Sequence, residues 1–177
     1  LVHRLEEGAM ANLNERDKER IAARRVREHV NLFARLPAIY AASRKQGQHL
    51  LQIGGGLSIV EWRVLWDLCE AAQMTIKDLA SMQRADPSLL SRALPEMRRK
   101  GFVTMRRSET DSRQTIVEVS QAGRAAYDRA APVMARRRAA LKEVYSEEEL
   151  VEFVNYLDRL DMFLRAPIED IVAKEQI

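Results

Sequence analysis

Apolar side chains recur through residues 19–50 at Val26, Val30, Phe33 and Tyr40, with Leu32, Leu36 and Ile39 widening the stripe. That spacing predicts one long amphipathic helix with a broad buried face. Pro37 lies inside the pattern and lacks a backbone donor, so a kink is predicted near the preceding turn. The run Gly54-Gly55-Gly56 then ends the segment. Three later helix starts each show a hydroxyl followed three positions on by an acid: Ser58 with Glu61, Thr75 with Asp78, and Ser146 with Glu149. Such pairs cap free backbone N–H groups reciprocally, and apolar partners stand at the staple positions around each of them (Leu57 with Trp62, Met74 with Leu79, Tyr145 with Leu150). A fourth start, Asp86-Pro87, puts a capping carboxylate before a proline whose missing N–H costs nothing at the first helical position.

A helix over residues 87–100 is predicted to bury Leu90, Leu94 and Met97, spaced at i, i+4 and i+7, and to end at Gly101. Its opposite face carries Ser88, Arg92 and Arg99. Residues 102–107 and 114–119 are rich in β-formers and predict a hairpin with a wholly polar tip, Ser108 to Arg113. Ser120 caps a long helix that runs toward Tyr145 with a bend at Pro132, and a last helix runs from Glu147 toward Arg165, before Pro167. The apolar positions of that last helix, Leu150, Phe153, Val154, Leu157, Leu160 and Leu164, keep close to a heptad rhythm and imply a helical partner. Pairing the long end helices with a second copy would bury their stripes, so a symmetric homodimer is expected.

Helix, helix, turn, helix and basic-tipped hairpin is the order of a winged helix-turn-helix domain. The predicted fold is therefore mostly α with a small β-hairpin wing. Residues 1–18 form an N-terminal arm and 19–53 a dimerisation helix, 57–120 the winged helix-turn-helix DNA-binding domain, and 121–177 the C-terminal dimerisation helices. A helix of this kind fits the major groove of duplex DNA, where base edges carry a distinct donor and acceptor pattern, while a hairpin reaches an adjacent minor groove.

Charge agrees with that reading through its distribution. The net charge is only +3 over 177 residues. Between Arg84 and Arg113, eight basic residues face four acidic ones, a net +4, which leaves −1 for the remainder. The positive charge is thus concentrated where the second helix and the hairpin lie. Composition otherwise excludes: 46% apolar and 31% charged residues suit a helical globular protein. The longest apolar runs, such as Ala38 to Ala42, fall far short of the roughly 20 residues that span a bilayer, so no membrane partner is expected. The first eighteen residues contain no secretory apolar core, and cytoplasmic residence is expected. Met10 as a start and a genuine arm over residues 1–9 both stay open.

From the helix carrying Trp62, Val64 and Leu65 onward, the sequence resembles the MarR (multiple antibiotic resistance regulator) family. The resemblance rests on Ile76-Lys77-Asp78-Leu79-Ala80, on Ser88 to Gly101 with Phe102-Val103 following, on Asp111-Ser112-Arg113, and on Val117-Glu118-Val119-Ser120 with Gly123. With compatible long helices outside, it spans residues 25–165. It implies that Arg113 is the wing-tip arginine entering the minor groove, whose negative potential attracts a guanidinium without requiring base identity. Asp111 is then the carboxylate that holds the tip in shape through an ion pair. The family often has a second basic residue where this chain has Ser112, which weakens wing contact. Base reading falls to Ser88, Leu89, Ser91 and Arg92, with Arg92 first for guanine and Leu89 for a thymine methyl. Arg98, Arg99, Arg106 and Arg107 are placed for phosphates. Pro95 departs from the pattern by removing a hydrogen bond inside the reading helix, where a bend can re-aim its first half.

The same resemblance implies repression of a pseudo-palindromic operator and release by a small aromatic or phenolic effector held between the dimer helices and the winged domain. His29, Trp62 and Trp66 are candidates for that wall, against core packing for both tryptophans. Cys69, the single cysteine, falls four residues after Leu65 on the apolar face and reads as a packing thiol; a cysteine-based redox sensor is the rival reading. A winged-helix protein-interaction module is a second alternative. His3, His29 and His49 are too scattered for a metal site, and no nucleophile with a base and orienter can be assembled. No metal, no cofactor and no enzymatic activity are expected.

Overall fold

The computed structural model describes residues 15–28 and 31–172, which fall into two compact units, residues 1–49 and 50–177. In the first unit, α1 (Glu15–Glu28) carries Glu15 and Asp17 in its first turn and Arg25 and Arg27 in its last, charges that complement the helix dipole at both ends. The second helix, α2 (Leu32–Ile53), begins afresh. Asn31 is not helical, and its Oδ1 accepts a hydrogen bond from the Ala34 N–H at 3.2 Å. The single helix expected over residues 19–50 is therefore two. An asparagine that captures the backbone of the next turn interrupts a stripe whose apolar period runs on without a break. Pro37 sits inside α2 rather than at the interruption. Val26, Phe33, Ile39 and Tyr40, the expected buried stripe, are each more than half exposed.

In the second unit, Leu51 at the end of α2 is fully buried. Then come α3 (Ile59–Ala71), β1 (Gln73–Thr75), α4 (Ile76–Met82), α5 (Pro87–Arg99), β2 (Val103–Arg107), β3 (Thr115–Val119), α6 (Gln121–Lys142), α7 (Glu147–Arg165) and α8 (Ile168–Val172). The cap signals take the expected form. Ser58 and Ser146 make full reciprocal capping boxes with Glu61 and Glu149. Thr75 accepts the Asp78 N–H at 3.0 Å, but the aspartate, one methylene shorter, takes the Thr75 hydroxyl at 2.7 Å instead of a backbone donor. Asp86 caps α5 through the Ser88 N–H at 2.8 Å, with Pro87 in the first turn.

Two helices end in the same way. After α5 the Phe102 N–H reaches the Met97 carbonyl and the Gly101 N–H the Arg98 carbonyl, both at 2.9 Å, with Gly101 left-handed at φ 77°. After α4 the Ala85 N–H reaches the Ala80 carbonyl at 2.9 Å and the Arg84 N–H the Ser81 carbonyl at 3.1 Å. There the left-handed residue is Arg84, at φ 48°. A side chain with a Cβ raises the energy of that conformation by about 1–2 kcal/mol.

The hairpin is part of a three-stranded antiparallel sheet in the order β1-β3-β2. β1 pairs Gln73, Met74 and Thr75 with Glu118, Val117 and Ile116, and β2 pairs Val103 with Val119 through Arg107 with Thr115. Val103 and Val117 turn into a core built from Leu57, Trp62, Val64, Leu65, Leu68, Leu79, Leu90, Leu94 and Met97, closed by Ala126, Ala130 and Met134 of α6. The start of α6 grips the sheet. Ser120 donates its N–H to the Phe102 carbonyl at 3.0 Å and its hydroxyl to the Gly101 carbonyl. A Cβ on Gly123 would lie 2.0 Å from the Phe102 oxygen, so only glycine fits.

Candidate nucleic-acid interface

Three buried residues orient α5. Leu90, Leu94 and Met97 are fully buried, which turns Ser88, Leu89, Ser91 and Arg92 outward; Leu89 is 40% exposed. The Arg92 Nε donates to the Ser88 carbonyl one turn back at 3.2 Å, so its guanidinium lies along the first turn of the helix. The carboxyl of Asp86 is held below the usual range by the Ser88 backbone N–H and then by the Ser88 side chain. Pro95 is exposed and α5 runs through it unbroken to Arg99.

The other arginines fall into distinct settings. Arg98 is exposed in the last turn of α5. Arg99 forks onto Glu96 through Nε at 2.8 Å and Nη2 at 2.6 Å, and this pair holds the Glu96 carboxyl low. Arg106 reaches across the sheet, donating to Glu118 at 3.0 Å and Gln73 at 3.1 Å. Arg107 donates to the Ser112 carbonyl at 2.9 Å and so ties β2 to the tip of its own loop.

The tip itself, residues 108–114, closes on hydrogen bonds. The Ser108 N–H reaches the Gln114 carbonyl at 3.0 Å, and the Gln114 N–H the Asp111 carbonyl at 2.9 Å. Asp111 accepts the Arg113 N–H on Oδ1 at 3.0 Å and the Gln114 side-chain amide on Oδ2 at 2.9 Å. It thus shapes the tip as a carboxylate accepting from neutral donors, in place of the ion pair that the resemblance implies. Arg113 stands exposed on this frame.

Beneath the interface, Glu61 and Lys100 lock the start of α3 to the end of α5 at 2.7 Å, with the Glu61 side chain 7% exposed. Burial pushes the Glu61 carboxyl up, but hydrogen bonds from Lys100 and from the Ser58 backbone and hydroxyl outweigh it, and the carboxyl lies below its ordinary value. Gln83, also buried, donates to Asp67 at 2.7 Å and accepts from Arg63 at 2.5 Å through its carbonyl. Sequence reading missed these partners, since nothing local marks a pair set 39 residues apart.

The candidate effector wall is divided. Trp62 is 3% exposed and stacked on Tyr127 with ring centroids 5.0 Å apart, a packing role. Trp66 is half-buried, with the Arg138 guanidinium 5.0 Å above its ring and its indole N–H on Glu70. His29 lies outside the described residues. Cys69 is half-buried, and burial pushes its thiol up, away from the reactive thiolate that a redox sensor needs. Among the described residues no cluster of metal-ligating side chains occurs, and no helix is long and apolar enough to cross a membrane.

Comparison with known proteins joins these features to a family. The profile described as the MarR family matches residues 57–115, the segment from the start of α3 through the wing tip. The transcriptional repressor YetL of Bacillus subtilis is 26% identical over 156 residues, covering 81% of this chain and 92% of its own. A crystal structure of a cysteine-to-serine mutant of MarR from E. coli, complexed with operator DNA, superposes with a TM-score of 0.65 at 18% identity, over 75% of this chain and 95% of that one. The organohalide-sensing regulator RdhR-CbdbA1625, in a form bound to 2,4-dichlorophenol, superposes at 0.63 with 19% identity, over 75% and 78%. The winged segment thus matches the MarR family profile, and the chain is similar to a transcriptional repressor along most of both lengths and shares the fold of MarR from E. coli.

Proposed function

We propose that this protein is a transcriptional regulator that binds duplex DNA as a homodimer and represses from a pseudo-palindromic operator. The observation that carries the reading is the pairing of two exposed groups on one rigid frame. Ser88, Leu89, Ser91 and Arg92 face outward from a helix anchored by three buried side chains, and Arg113 stands on a hydrogen-bonded wing. The first set reads base edges in the major groove and the second enters the minor groove. Arg98 is the phosphate contact that needs no rearrangement. Arg99, Arg106 and Arg107 brace the helix end and the wing in the free protein, and their remaining N–H groups serve phosphates.

A repressor relative and an operator-bound neighbour support this reading. Release by a small aromatic or phenolic effector is part of the same proposal, supported by the neighbour bound to 2,4-dichlorophenol. Trp66 is the side chain assigned to its wall, while Trp62 serves packing. The effector must bind one arrangement of the two reading helices better than the other, because equal affinity shifts no population. Regulation of this kind acts on chromosomal DNA, in the cytoplasm. A gel-shift series in rising salt tests the core of the proposal: log affinity should fall against log salt with a slope of about −0.9 for each phosphate neutralised. A flat line removes DNA binding.

A further inference from the structure

Arg84 stands where the chain turns from α4 into the reading helix, in the left-handed position that closes α4. Glycine suits such a position, and Gly101 fills the equivalent place after α5. A residue with a Cβ persists there when its surroundings fix it. The Arg84 side chain supplies the reason. Its Nη1 donates to Asp158 Oδ1 at 2.7 Å and lies 3.9 Å from Asp161 Oδ2. Asp161 also accepts from Arg165 Nε at 2.9 Å on both oxygens. Asp158, Asp161 and Arg165 are spaced i, i+3 and i+7, one face of α7. The contact spans 74 residues and joins the turn of the helix-turn-helix to the C-terminal helix. The hydrogen bond to Asp158, followed by the charge of that carboxylate, holds the Arg84 proton more tightly than usual.

We propose that Arg84 is a positioning residue: its ion pair with Asp158 and Asp161 fixes the start of α5 against α7, so that the C-terminal helix sets where Ser88, Leu89, Ser91 and Arg92 point. The inference rests on the DNA-binding reading above. Both partners are half-exposed, and surface pairs of this kind contribute little to global stability. The effect is therefore expected in recognition and not in folding. The rival role, a direct phosphate contact by Arg84, makes the opposite prediction for its partners. Removing Asp158 and Asp161 would then free a cation and tighten binding to any duplex.

The experiment uses the full chain with two probes: a duplex recovered from a random-sequence library by selection with the wild-type protein, and a shuffled duplex of equal length. Both are measured at one salt concentration. The variant carrying Asp158→Ala and Asp161→Ala is expected to bind the selected duplex about fivefold more weakly, with its shuffled-duplex affinity changed by less than about twofold. Arg84→Gly, which suits the left-handed backbone, should lose the same selectivity while melting no lower than the wild type. Equal or tighter binding by the carboxylate-free variant overturns the proposal. So does loss of selectivity in Arg84→Gly alone. A wild-type protein that selects no duplex overturns the DNA-binding reading itself, and a wild-type protein that selects one while its variants read it normally overturns only the role of Arg84.

Discussion

Glu61 is buried to 5% exposure and stays ionised because a lysine, a backbone amide and a hydroxyl all serve it. Its folded-state affinity for a proton lies below that of the unfolded chain, whose ordinary value is 4.5. As pH falls past that value the unfolded chain takes up the proton first, so the share of stability present above it is lost as pH falls through the lower folded value. Glu61→Gln should cost about 1–3 kcal/mol at neutral pH. Its deficit relative to wild type should shrink in acid. Paired denaturant titrations near about pH 7 and about pH 3 check this, and a deficit that does not change with pH counts against the ion pair. Half of the arrangement is readable from the sequence: Ser58 with Glu61 is a local signature, whereas Lys100 comes from a helix end 39 residues on. Arg84 with Asp158 is hidden for the same reason, since sequence spacing carries no information on which distant charges a fold brings together.

Among the elements, α5 and the wing divide the proposed work, and their variants should separate. Arg92→Ala should cost about 1–3 kcal/mol and relax preference at one base position in each half-site. Arg113→Ala should weaken binding across sequences and make the salt slope shallower by about 0.9 for each phosphate that the wing no longer neutralises. Gel shifts combined with sequencing of selected duplexes distinguish the two, and uniform weakening for Arg92→Ala sinks its reading role. Helices with capped starts are legible at this scale. α7 begins at Glu147 and ends at Arg165, as its cap and the following proline foretell. β1 is not, because three residues are too few for an alternating pattern and their order comes from β3, more than forty positions away. The break between α1 and α2 is concealed inside an apolar period that continues across it.

At the scale of the whole molecule, much of the apolar stripe of α7 stays open among the described residues of its own unit. Phe153, Val154, Leu157 and Leu164 are 43–54% exposed, an apolar row of the kind that a stable amphipathic helix buries against a partner. A second copy is the proposed cover. Leu157→Asp removes one buried leucine from each side of a two-fold interface, worth about 3–6 kcal/mol together. It should turn a dimer into a monomer by sedimentation and abolish tight binding to paired half-sites. A stable monomer in the wild type defeats the assembly outright. The grip of Ser120 and Gly123 on the Phe102 carbonyl has one more consequence. It fastens a 22-residue rod, roughly 33 Å long, to the junction between reading helix and wing. With Ala126, Ala130 and Met134 also buried along it, the first two-thirds of that rod is clamped to the same core as the reading helix, and only the turns beyond Met134 project from it.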